Sequence, residues 1–105
     1  MPVVADISDK MAELQKMRVA LVILTSQETS KLLSRRQRVA GKEIEVMCAE
    51  RDLHEDPDGD RTLLETLYHE DAVLRRALHE TEQDIERMEG LMVQVNADIA
   101  ALCQA

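Results

Sequence analysis

The chain has 105 residues with one aromatic side chain, Tyr68, and neither Phe nor Trp. Leu, Ile, Val, Met and Ala are left to fill an interior, which favours helix packing over β-sandwiches and barrels, whose strands want aromatic and β-branched residues. Thirteen Lys and Arg against 21 Asp and Glu give a formal net charge of −8, which repels nucleic acid and anionic membranes and suits a basic partner surface.

The opening stretch, MPVVADISDK, has neither a basic n-region nor a long apolar h-region, so it does not read as a secretory signal. The longest apolar run, Val19–Leu24, is far short of the ~18 residues of a membrane-spanning helix. Cys48 and Cys103 lack a CxxC and any close His, so no zinc or redox motif is indicated. Free, mostly structural thiols in the cytoplasm are the expectation, with a bridge between the two left open.

The first predicted helix starts at Asp6 or Ser8, either of which can cap it. Its apolar positions Ile7, Met11, Leu14, Met17, Leu21 and Leu24 step by three and four. TSQETSK at 25–31 interrupts that stripe, and Leu32 and Leu33 restart it toward Ala40, Ile44 and Met47. Gly41 costs this helix about 1 kcal/mol relative to Ala and marks a candidate bend.

HEDPDGD at 54–60 turns the chain: Pro57 pushes Asp56 out of the α region, Gly59 can take a positive φ, and Asp favours turns. Thr62 followed by Glu65 predicts a capping box for the second helix. From Leu64 the heptad a/d series runs Leu64, Leu67, Asp71, Leu74, Leu78, Thr81, Ile85, Met88, Met92, Val95, Ile99, Leu102. Only Asp71 and Thr81 are polar, a coiled-coil seam in which such residues specify register or oligomer state. The pattern predicts an all-α fold, an antiparallel long-helix hairpin or three-helix-bundle-like coiled coil. One helical domain spanning 1–105 is expected, with arms over about 7–54 and 61–103, an acidic turn at about 55–60, and a second arm roughly 65 Å long.

Folded about the turn, the arms pair positions whose numbers sum to roughly 114. Met47 then meets Leu67, Ala40 meets Leu74, and MRVALVIL at 17–24 meets GLMVQVNA at 90–97. Both of these segments are apolar over more than one stripe, and one helix cannot cover two faces of its neighbour. The missing cover is a second copy of the chain, a third helix made by a break near Gly41 or Gly90, or a foreign protein. The candidate protein-binding residues are Val19, Val22, Ile23, Leu91 and Val93, with Ile85 and Met88 facing the polar 25–31 stretch.

Residues 31–42 hold Lys31, Arg35, Arg36, Arg38 and Lys42 without an acid, while Glu70, Glu82, Asp84 and Glu89 occupy e and g positions of the second arm. Cross-helix pairing of these blocks would set register and antiparallel direction. The acidic tip, Glu43 to Asp60, keeps the turn soluble or docks a basic surface, and it lacks the spacing of a calcium loop. His69 and His79 fall on outward heptad positions, and no ExxH pair faces the core as a di-iron site requires. Neither Cys has a nearby partner to activate it. No metal, no cofactor and no catalysis are expected.

The passage EDPDGD running into RTLLETLYHEDAVLRRALHETEQDIERM, behind a long first helix in a short acidic chain, resembles the tubulin-binding cofactor A family. The resemblance implies a non-enzymatic three-helix bundle that captures β-tubulin during tubulin folding and microtubule assembly in a eukaryotic cytosol. The family's Lys- and Tyr-rich helical surface has no counterpart here, and no motif beyond the loop carries a binding residue over. Set beside it is a different class of function, a homodimeric structural coiled-coil subunit of a secretion, cytoskeletal or phage assembly, in which MRVALVIL and LMVQVNADIAAL bury each other across a two-fold axis.

Overall fold

The computed structural model describes residues 4–104. Residues 1–3 and 105, included in the expected single domain, lie outside the described residues. Two helices, α1 (Val4–Glu55) and α2 (Thr62–Cys103), make up nearly all of the described chain and form an all-α helical hairpin. No third helix forms among the described residues. The expected breaks at Gly41 and Gly90 are absent, because α1 and α2 run through them and neither glycine has a positive φ. Added Cβ atoms there would meet nothing within 4 Å, so no close neighbour forces the backbone out of the helix.

The turn forms where Pro57 requires it. α1 stops at Glu55, and the Asp56 amide still donates to the Asp52 carbonyl at 2.9 Å, closing the last turn. The Gly59 amide donates to Asp56 O at 3.0 Å, a β-turn over 56–59 with Pro57 at its second position and Gly at its fourth, where each is favoured. The expected positive φ at Gly59 is not used. Crowding selects glycine instead: a Cβ would sit 3.0 Å from Asp56 O and 3.4 Å from Leu53 Cδ2.

The start of α2 departs from the expected capping box. The Thr62 amide donates to Asp60 Oδ1 at 2.8 Å, so Asp60 takes the donor that the Glu65 side chain serves in a capping box, while the Glu65 amide donates to the Arg61 carbonyl at 3.1 Å. These hydrogen bonds from the Thr62 amide and hydroxyl hold the Asp60 carboxyl below its ordinary pKa.

The chain divides into two compact units: one combines α1 up to Thr29 with α2 from Gln83 onward, and the other is Ser30–Glu82. In the Ser30–Glu82 unit, Val46, Ala49 and Leu67 form a buried cluster with Leu64 packed against it, and Val39 is buried further along α1. In the other unit Leu21 and Val95 are the buried apolar side chains, Val95 being 3% exposed.

All twelve expected seam positions of α2 are buried or half-buried. For α1 the stripe is only partly as expected. Ile7, Met11, Leu14 and Leu21 point inward, but beyond them the seam continues through Thr25, Glu28, Leu32, Arg35, Val39, Lys42, Val46, Ala49 and Leu53. This is one uninterrupted seven-residue repeat, with exposed Arg18 in the place between Leu14 and Leu21. Met17, Leu24, Ala40, Ile44 and Met47, assigned to the seam by their apolarity, are exposed. Leu67 accordingly packs with Val46 rather than with its neighbour Met47.

Thr81, Arg35 and Lys42 within the seam are met across the hairpin. Thr81 is fully buried; its hydroxyl donates to the Ala77 carbonyl at 3.1 Å and accepts from Arg35 Nη1, which also donates to Ala77 O at 2.9 Å. Lys42 Nζ pairs with Glu70 at 2.6 Å and Glu45 at 2.9 Å, and these hydrogen bonds hold its ammonium pKa above the ordinary value. Arg75 bridges Asp71 at 2.9 Å and Glu43, whereas Asp71 Oδ1 is buried without a hydrogen-bond partner. Of the acids expected to meet the basic block, Glu70 does so through Lys42, while Asp84 pairs with Arg87 one turn along its own helix.

Arg35→Leu should therefore stabilise the hairpin. The Thr81 hydroxyl keeps its bond to Ala77 O, so no group loses its last partner, and an apolar seam position gains burial; an increase of about 1 kcal/mol in urea unfolding is expected. A fall in stability instead would show that the Arg35 hydrogen bonds outweigh its desolvation.

Candidate protein-binding surface

Every candidate binding residue lies in the unit formed by α1 up to Thr29 and α2 from Gln83 onward. The α1 seam there takes Leu14, Leu21, Thr25 and Glu28 inward. The remaining apolar side chains of MRVALVIL, at positions between those, must then point elsewhere. Val19 (58% exposed) and Ile23 (53%) are one turn apart on the outward face of α1, beside Ala12, Lys16 and Ala20. Val22 stands on one flank and lines a shallow groove with Thr25, Ser26, Thr29, Glu89 and Met92, so both helices contribute to it. Met17 and Leu24 are exposed on the other flank of α1.

On α2, Leu91 is exposed at a g position and Val93, 69% exposed, at a b position. Ile85 and Met88 are half-buried at the a and d positions of the α2 seam. The candidates therefore form an exposed set (Val19, Val22, Ile23, Leu91, Val93) and an inward pair. The outward turn of Met17 and Leu24 escaped sequence reasoning. Apolarity gives no signal for it, because the inward positions of α1 include Thr25, Glu28, Arg35 and Lys42, and Arg18 stands exposed in the same series.

Glu89 is the charged side chain among the residues lining the Val22 groove. Beyond it the groove combines the hydroxyls of Thr25, Ser26 and Thr29 with the apolar side chains of Val22 and Met92, and the face around Val19 and Ile23 is bordered by Gln15, Lys16 and Arg18. Among the described residues no group of three or more His, Cys, Asp or Glu is placed to hold a metal ion. Cys48 and Cys103 are free, as expected, and both are exposed. No helix of the described residues is long and apolar enough to cross a membrane.

No protein-family model matches the chain, and neither a curated protein nor a solved structure matches it.

Proposed function

We propose that the chain is a non-catalytic, cytoplasmic protein-binding hairpin that docks another protein on the exposed apolar surface around Val19 and Ile23 with Val22 on its flank, and that Leu91 and Val93, exposed on α2, are the contacts the second arm offers. The observation that supports this reading is the run Val19–Leu24, of which Leu21 is buried while Val19, Val22, Ile23 and Leu24 are exposed. Apolar side chains gathered in this way mark interaction surfaces far more often than scattered ones do. A β-tubulin client, as in the family with the similar EDPDGD passage, is the specific version of the proposal. A structural coiled-coil subunit is the competing version, favoured by the heptad seam that runs through both helices.

Binding of purified β-tubulin, followed by calorimetry, is expected for the natural chain and should be lost in the Val19→Glu, Ile23→Glu double variant. Both changes fall on exposed positions, so helix content should stay constant. No heat with the natural chain would remove the tubulin version. Equal binding by the double variant would remove this surface.

A further inference from the structure

In the Ser30–Glu82 unit the outward face of α1 carries a second stripe. Leu33, Gln37, Ala40, Ile44 and Met47 follow one another at steps of four, three, four and three, and all are exposed, with Leu33 56% and Ile44 62% open to solvent. A 3.5-residue repeat, apolar at every position but Gln37, on the side of a helix turned away from its hairpin partner is the signature of a second helix-packing seam. Two further features have no use within the hairpin. Gly41, a costly residue in a helix interior, has open space where its Cβ would be. Arg36 is exposed and makes no ion pair among the described residues.

We propose that this face is a self-association surface, on which a second copy of the chain lays the same α1 segment antiparallel about a two-fold axis near residues 38 and 39. The segment is complementary to itself in that arrangement and in no need of a different partner. Leu33 packs on the partner's Ile44, Gln37 on the partner's Ala40, and Met47 covers the partner's Ser30. A symmetric interface repeats each contact twice. Along one flank Arg36 meets the partner's Glu43, and that flank therefore carries two opposite-charge pairs. Glu43 is 51% exposed and already held by Arg75, so it is positioned to accept a second guanidinium. Along the other flank Ser34 meets the partner's Gly41, and the absence of a Cβ lets the two helices approach closely. Charge and small-residue placement both favour antiparallel alignment: a parallel pair in register would set Arg36 beside the partner's Gly41 and Glu43 beside the partner's Cys48, leaving both charges without an opposite partner across the seam.

The segment from Ser30 to Met47 gives a contact roughly 27 Å long. That is at the low end of stable interfaces, so a concentration-dependent dimer is expected. The surface lies in the other unit from the docking surface around Val19, and it stands or falls independently of that reading.

Sedimentation equilibrium of the full chain from about 1 to 300 µM tests the inference. The expected mass rises from 11.9 kDa toward twice that value. A constant 11.9 kDa throughout would overturn it. Ile44→Glu should weaken dimerisation at least tenfold with unchanged helix content, whereas Val19→Glu with Ile23→Glu should leave it intact. The reverse pattern would place the dimer contact elsewhere and sink the proposal. Arg36→Glu alone should weaken association about tenfold, roughly the 1.4 kcal/mol of a cross-interface charge reversal. Adding Glu43→Arg should restore it, and failure to restore would refute the antiparallel pairing.

Discussion

Leu67→Ala is expected to lower the unfolding free energy by about 2–4 kcal/mol, the usual range for removing a leucine from a packed core. Leu67 is 8% exposed and packs with Val46, Ala49 and Leu64. Ala49 already presents a small side chain to that cluster, so no bulky neighbour is available to collapse into the space left behind. The position adjoins the turn; of the ion pairs of this unit, Arg75 with Glu43 is too exposed to compensate, and half-buried Lys42 with Glu70 is the same before and after the substitution. Urea unfolding followed by circular dichroism measures the change. A loss below about 1 kcal/mol would mean that the cluster contributes little and that the hairpin is held elsewhere.

The second large effect is expected from Leu21→Asn, in the unit that combines α1 up to Thr29 with α2 from Gln83 onward. Leu21 is buried, and the α2 seam residues of that unit are Ile85, Met88, Met92, Val95, Ile99 and Leu102. None carries a strong hydrogen-bond donor or acceptor. The substitution removes apolar burial and also leaves an amide without a partner, a combined cost of about 3–5 kcal/mol. Hydrogen exchange should show lost protection in residues 4–29 and 83–104, while Ser30–Glu82, with its own cluster, keeps slow amides. Uniform loss along both helices would show instead that the two units open as one cooperative block.

Much of the hairpin is legible without coordinates because its strongest signals are local or periodic. Pro57 ends α1 by sterics alone, and the α2 seam alternates steps of three and four across its whole length, so every one of its twelve positions is buried or half-buried. The register follows from the turn: Lys42 meets Glu70 and Arg35 reaches Thr81, both within a turn of the pairing computed from the chain numbers. The capping of α2 was less legible, since Asp60 and Thr62 both have suitable side chains and only the hydrogen bond from the Thr62 amide decides between them.

The binding surface was legible in kind and blurred in detail. An excess of apolar residues at 17–24 shows that one neighbour cannot cover them all, whichever of them faces it. Which side chains face out depends on the phase of α1, and hydrophobicity is a poor guide to phase in a helix whose seam includes Thr25, Glu28, Arg35 and Lys42.

What the sequence determined by itself is the all-α hairpin, the position of its turn and the inward face of α2, each imposed by a periodicity or a proline that no tertiary contact needs to interpret. Only the tertiary structure decided the inward face of α1. Arg35 is tolerated inside because Thr81 and the Ala77 carbonyl accept its hydrogen bonds, and Lys42 because Glu70 lies across from it. Those partners belong to a distant part of the chain, so their compensation is invisible until the two helices are side by side. Once it is supplied, Ile44, Met47, Val19 and Ile23 are released to the outside, where they become the surfaces on which a partner can act.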